Sequence, residues 1–414
     1  MLHAAMGEFG LLVLAWVVSE ARGRIPWRTV LTGVVLQVAL AALLIHFPPA
    51  IGAIMLLNRG ANALQAATDA GSGFVFGYLG GGALPFVETH PGASFILAFR
   101  AMPLVIVISA LASLLFYWGI LQRVTAVFAW LLRRVMGIGG ALALGAAVHV
   151  FVGMIEAPLL VRPYLVRMQR GELFALMTCG MAGVAGTVMV IYAGFLAPVL
   201  PNALGNILIA SVVSTPAGLA VAAIMVPFGP APAEGVKLEL HDPPVSALDA
   251  LVRGTLDGIP ILAGILAVLL VAVATVALVN MALGLLPHWG SDPITLQMLF
   301  AIPFQPVMWL IGIPWAESGA AAALMATKTV LNEFVAYATL GRLEPGALTP
   351  HSRLILTYAL CGFANFGSLG ILIGGLGAMV PERRHEVVEL GVRSILSGTL
   401  ATCMSGALAG WMLG

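Results

Sequence analysis

Residues 259–286 run without a single charged side chain, and a stretch of that kind dictates the solvent in which a chain must fold. A helical span across the hydrocarbon core of a bilayer needs about 20 apolar residues. Inside that core every backbone N–H and C=O must be bonded within the protein, so continuous apolar runs of this length are read as helices. Apolar runs of similar length recur near 9–20, 29–48, 93–119, 172–198, 203–227, 352–379 and 391–413, and 294–313 is apolar with Pro303 and Pro306 inside it. The 414 residues are 60% hydrophobic and 9% charged, whereas a soluble domain carries about 25% charged residues. The expected class is an all-α polytopic membrane protein with about eight transmembrane helices.

The polar residues give this expectation a direction. Arg22, Arg24 and Arg28 make the densest basic loop near the N-terminus. The positive-inside rule puts that loop in the cytoplasm and the N-terminus outside, and Arg383-Arg384 also reads as cytoplasmic. Residues 50–70 are amphipathic and too polar to span, which predicts an interfacial helix. Residues 121–137, with Arg123, Arg133 and Arg134, predict a second surface helix. Gly71 to Gly82 is glycine-rich and predicts a loop, and residues 229–244 predict a polar linker. Glu88, Thr89, His90 and Arg100 read as loop or interface residues. Cys179, Cys361 and Cys403 are an odd set in apolar surroundings, so no disulfide framework is expected. Met1-Leu2-His3 lacks a basic leader, and no cleavage site follows the first apolar run, so no cleavable signal peptide is expected. A net charge of +1 argues against a nucleic-acid surface.

Two glutamates break the apolar pattern. Glu156 lies between Gly153 and Pro158, and Glu333 follows Asn332 directly. A carboxylate at membrane depth costs about 2.5–3.5 kcal/mol on insertion scales, and such groups usually mark a substrate or ion path. Residues 139–170 carry Gly139, Gly140, Gly145, Gly153 and Pro158, punctuation that a straight span does not need. A re-entrant hairpin does need it, because irregular backbone is tolerated at depth only in protein or beside a wet cavity. Residues 314–340 repeat the pattern around Glu317, Lys328 and Glu333.

The blocks Cys179-Gly180-Met181-Ala182-Gly183 and Cys361-Gly362-Phe363-Ala364-Asn365 follow these glutamates by 23 and 28 residues. A broken hairpin followed by a glycine-interrupted span therefore occurs twice. Paired interrupted segments of this kind point to a transporter site at a repeat interface. Four segments are expected: 1–138, 139–228 with the first broken stretch, 229–313, and 314–414 with the second.

Each candidate residue has a plainer reading. Glu156 could cap its own broken helix or pair with Arg162, and Glu333 could pair with Lys328, five residues earlier. Asn365 and Ser368, three apart, would share a helix face, where a buried Asn often bonds helices together. His149 could carry a proton or simply bond a backbone carbonyl. No His-Glu-x-x-His, Gly-x-Ser-x-Gly or cysteine–histidine cluster is present, so neither enzyme nor resident metal is expected. An intramembrane enzyme or a channel remains the alternative class.

The motifs now in view resemble those of the concentrative nucleoside transporters. Gly153-Met154-Ile155-Glu156-Ala157-Pro158 looks like that family's first-hairpin motif, and Asn332-Glu333-Phe334-Val335-Ala336-Tyr337 like its second. Cys361-Gly362-Phe363-Ala364-Asn365-Phe366-Gly367-Ser368 with Gly374 to Arg384 looks like the third, and the similarity runs from about residue 90 to the C-terminus. The resemblance implies eight transmembrane helices, two re-entrant hairpins, interfacial helices and a homotrimer in a bacterial inner membrane. It implies cation-coupled nucleoside uptake with an elevator-like movement. Glu333, Asn365 and Ser368 would hold the ribose, with Phe363 and Val188 packed nearby, while Met154, Ile155 and Glu156 would face the base. The cation-coupling set would be His149, Val152, Gly183, Val184, Glu156 and Glu333.

Departures from the family pattern matter. Met154-Ile155 replaces a polar pair, which implies weaker base discrimination or a shift towards purines. His149 stands where many sodium-coupled members have Asn, and Gly183 where they have Ser. Both side-chain oxygens are lost, while a hard cation wants oxygen ligands. The expected co-transported ion is therefore the proton, with sodium as the alternative.

Overall fold

A computed structural model describes residues 2–88, 94–154, 156–229, 244–286, 293–344 and 346–413, and among these there are helices and no strands. The N-terminal part comprises α1 (Leu2–Val17), α2 (Trp27–His46), α3 (Pro48–Phe76), α4 (Leu97–Arg100), α5 (Pro103–Tyr117) and α6 (Ile120–Met136). Next come α7 (Gly140–His149), α8 (Glu156–Leu160), α9 (Arg162–Leu165), α10 (Arg170–Ala182), α11 (Gly186–Leu196) and α12 (Ala203–Met225). The C-terminal half holds α13 (Ala247–Leu283), α14 (Leu296–Leu310), α15 (Trp315–Val330), α16 (Glu333–Arg342), α17 (Pro350–Ala359), α18 (Phe366–Met379) and α19 (Arg384–Leu413).

Local chemistry sets many of these ends. Ser246 and Thr349 cap α13 and α17 by accepting the backbone N–H of Asp249 and Ser352. Gln169 and Glu172 cap α10 reciprocally, which satisfies donors that a helix start leaves free. Gly119 and Gly137 bracket α6 with φ of 71° and 69°, a left-handed backbone that favours glycine.

Among the described residues five segments are long and apolar enough to cross a membrane: α2, residues 97–117, α12, α13, and α19 with its lead-in from Pro381. The eight expected crossings correspond to these five, to α1, and to the interrupted pairs α10–α11 and α17–α18. The expected breaks fall at residues 183–185 and 360–365. Among the described residues α12 is nearly all buried, and α2, α10, α11, α17 and α19 pack around it. Buried hydroxyl pairs, Thr178–Ser397 and Ser214–Ser405, both at 2.7 Å, tie α10 and α12 to α19. α13 is the opposite case: only 6% of its apolar window is buried, and it packs chiefly on α5.

Some expectations need correction. Gly71 to Gly82 is not a loop. α3 continues to Phe76 and a 3-10 turn follows over Gly77–Gly80, so glycine's helix penalty of about 1 kcal/mol per residue does not end this helix. The expected run 93–119 is bent into α4 and α5 just before Pro103. Residues 230–243 of the expected linker, and Thr89 and His90, lie outside the described residues. Glu88 accepts hydrogen bonds from the N–H and hydroxyl of Ser94, and Arg100 lies over the Phe95 ring.

One end of the molecule gathers the loop charges. Arg170 bonds Glu20 (3.1 Å) and Glu389 (2.8 Å), Arg393 bonds Glu20 (3.0 Å), and Arg383 bonds Glu386 (2.7 Å). The basic loops read as cytoplasmic thus share one end. α6 reaches it too, through a bond from the Thr29 hydroxyl to the Met136 carbonyl.

Candidate functional site

The site is built where helices stop. α15 ends at Val330, and Asn332 caps α16 by accepting the N–H of Val335 at 3.0 Å. Glu333 is therefore the first residue of α16, where the helix dipole favours a negative charge. The second interrupted helix restarts in the same way. Asn365 Oδ1 accepts the N–H of Ser368 at 2.7 Å and caps α18. Asn365 and Ser368 are thus joined by a cap, not by sharing one helix face as their spacing implied.

The cap leaves the Asn365 amide free to donate sideways, and it donates to Glu333 Oε2 at 2.8 Å. The other oxygen of Glu333 accepts the hydroxyl of Tyr192 at 2.7 Å. Glu333 is 4% exposed, Asn365 fully buried and Ser368 8% exposed. A buried carboxylate would be costly alone, and charge-assisted bonds of about 1.5–3 kcal/mol each offset that cost. Lys328, the ion-pair partner that spacing offered, bonds elsewhere: its ammonium donates to Ala359 O and Thr402 Oγ1.

Tyr192 was not foreseen. It lies on α11 four residues after Val188, so the two share a helix face, and both are buried. Its ring stacks on Tyr337 with centroids 4.9 Å apart. A tyrosine one turn beyond a candidate site residue was the available signal.

The interruptions touch one another. Phe363 N–H donates to Gly183 O at 3.2 Å, joining the break in α17–α18 to the break in α10–α11. Gly186 N–H donates to Phe151 O at 3.2 Å, joining the latter to the gap between α7 and α8. Both contacts need bare backbone. A Cβ on Gly186 would sit 2.7 Å from Phe151 O, and one on Gly362 would sit 2.6 Å from Met181 O. The broken segments carrying Glu156 and Glu333 are therefore linked through the two broken helices.

The remaining candidates gather around the first of these junctions. Met154 is buried against Gly180, whose ideal Cβ would stand 3.3 Å from that of Met154. Val184 is fully buried, while Val152 and Phe363 are half-buried. Glu156 opens α8, but its side chain and all of Ile155 lie outside the described residues. His149 ends α7 with its ring against Gly180, and its Nε2 has no hydrogen-bond partner among the described residues. A Cβ on Gly183 would stand 3.4 Å from Ser211 Oγ, 3.7 Å from Cys179 O and 3.9 Å from His149 O. Ser211 Oγ is likewise buried without a partner among the described residues. No group of three potential metal-ligating side chains occurs among them.

Known proteins resemble this chain along its whole length. The family signature described as Na+ dependent nucleoside transporter matches at residues 6–79 (N-terminus) and 206–410 (C-terminus), with a nucleoside recognition "gate" signature at 98–199. An uncharacterized transporter of Haemophilus influenzae is 37% identical, covering 100% of this chain and 98% of its own. The nucleoside permease NupC of Helicobacter pylori is 34% identical with the same coverage, 100% and 98%. Among solved structures, CNTnw in an inward-facing substrate-bound state superposes with a TM-score of 0.89 at 35% identity, covering 100% of this chain and 99% of that one. A CNTnw variant in an outward-facing state gives 0.87, also at 35%, covering 99% and 97%. The chain is a membrane transporter of the concentrative nucleoside transporter family and not an enzyme.

Proposed function

We propose that this protein takes up nucleosides across the bacterial inner membrane, driven by a cation gradient, with the proton as the coupled ion. The observation that carries the reading is the buried Glu333 carboxylate held between Tyr192 and Asn365. A carboxylate beside an amide can accept from and donate to the vicinal hydroxyls of a ribose. Ser368 and Phe363 would complete the ribose contacts with Val188, while Met154, Ile155 and Glu156 would face the base. The nucleoside permease among its relatives supports a nucleoside as substrate.

The ion rests on this chain's own residues. A hard cation needs several oxygen ligands, and neither His149 nor Gly183 offers a side-chain oxygen. The coupling set is His149, Val152, Gly183, Val184, Glu156 and Glu333, with His149 or a glutamate carrying the proton. The family's sodium-dependent signature makes sodium coupling the second reading. One charge moved through 100 mV is worth about 2.3 kcal/mol, enough for about fifty-fold accumulation at 1.4 kcal/mol per decade.

The moving part would be the two broken segments with α10–α12 and α17–α19, travelling as an elevator. α5 and α13 would be its fixed scaffold, and their exposed apolar faces would meet lipid and neighbouring subunits in a homotrimer. The test is labelled-nucleoside uptake into proteoliposomes. Glu333→Gln removes the charge and one acceptor role, and uptake is expected to fall about a hundred-fold. Unchanged uptake by that variant would contradict the site.

A further inference from the structure

Lys328 is fully buried on α15 and has no place in the contacts assigned so far. Its Nζ donates to Ala359 O at 2.9 Å and to Thr402 Oγ1 at 3.2 Å. Ala359 is the last residue of α17, at the edge of the interruption. A helix end leaves its last four carbonyls without an intrahelical donor, and at membrane depth water does not supply one. All four are satisfied here. Leu356 O accepts from Leu360 N–H (2.8 Å) and Tyr358 O from Cys361 N–H (3.1 Å). Thr357 O accepts the hydroxyl of Tyr337 (2.7 Å), and Ala359 O accepts the Lys328 ammonium.

Two of these four donors are side chains, one from each arm of the second broken segment: Lys328 on α15 and Tyr337 on α16. The same segment holds the far side of the interruption through the Glu333–Asn365 bond. The polarity also agrees, since a cation suits a helix C-terminus and a carboxylate a helix N-terminus.

We propose that Lys328 and Tyr337 are positioning residues for the substrate site. By closing the end of α17 they fix residues 360–365 and so hold Asn365 against Glu333. The broken segment and the broken helix then move as one piece. This rests on the ribose assignment of Glu333 and Asn365 made above.

The test reads KM and maximal rate separately for uridine and 3′-deoxyuridine in proteoliposomes. Lys328→Met keeps the stem and loses the donors; Tyr337→Phe loses one hydroxyl. Thr402→Val removes the other acceptor of Lys328 but leaves Ala359 O bonded. In Lys328→Met and Tyr337→Phe the KM preference for uridine over its deoxy analogue should shrink about tenfold. The maximal rate per folded transporter should stay within about twofold, and Thr402→Val should keep the wild-type preference. If Lys328→Met does not fold, Tyr337→Phe carries the test. A wild type indifferent to the 3′-hydroxyl overturns the ribose assignment, and the inference with it. A discriminating wild type whose two variants discriminate equally well overturns the inference alone.

Discussion

Tyr192 and Asn365 divide one carboxylate between them, and that division decides what Glu333 can offer a ligand. Each Glu333 oxygen already accepts one bond within the protein, yet a carboxylate oxygen accepts two. A ribose hydroxyl can therefore join without displacing either partner. Tyr192→Phe removes one charge-assisted bond and leaves the ring stacked on Tyr337. Its KM for nucleoside is expected to rise about tenfold with no loss of folded protein, as measured by uptake and size-exclusion chromatography. An unchanged KM would mean that Tyr192 only packs. At the other junction the geometry admits a gain of function. A Cβ at position 183 would stand near Ser211 Oγ, Cys179 O and His149 O, so a serine there would bring a hydroxyl to this junction. The double variant Gly183→Ser with His149→Asn is expected to acquire sodium-stimulated uptake, read as the sodium dependence of the initial rate. No sodium response in a folded double variant would contradict the argument from lost oxygens.

At the scale of elements, the two interrupted helices matter more than any full-length span. Gly186 and Gly362 let backbone meet backbone where interruptions cross. Gly186→Ala forces its Cβ onto Phe151 O, which is backbone and cannot rotate away. It is expected to cost about 1–3 kcal/mol, seen as a lower Tm in detergent; an unchanged Tm would show the junction to be looser than described. These elements also mark how far the sequence could be read. Glu156, Glu333 and the glycine-punctuated segments stood out because charge and glycine are anomalous in apolar sequence. Asn365 stood out as a polar residue in a repeated block, but its capping role did not, since a cap is defined by where the helix restarts. The roles of Tyr192 and Lys328 are not legible in the sequence because their partners lie 141 and 31 residues away, and spacing offers Lys328 to Glu333 instead of Ala359. The glycine-rich start of the 71–82 region misled, since composition there signals a turn while the chain stays helical to Phe76.

For the whole molecule, charge and exposure bear on the orientation and the partners proposed above. The cluster of Glu20, Arg170, Arg383, Glu386, Glu389 and Arg393 closes one end, although partly exposed pairs contribute only about 0–1 kcal/mol each. Its value lies in collecting the basic loops on one side, as the positive-inside rule requires. α13 is apolar, packs chiefly on α5 and buries few of its residues; lipid or another subunit would cover the rest under the function proposed above. The buried core runs instead through α12 and α19, beside the broken segments. An elevator movement, as proposed above, would carry this inner body past α5 and α13. The most direct test of the account is uptake of uridine and adenosine into proteoliposomes under an imposed proton gradient or an imposed sodium gradient. The account predicts accumulation driven by protons, abolished by Glu333→Gln, and no added effect of sodium. Accumulation driven by sodium alone would contradict the coupling argument built on His149 and Gly183, and no uptake of either nucleoside under either gradient would contradict the substrate assignment itself.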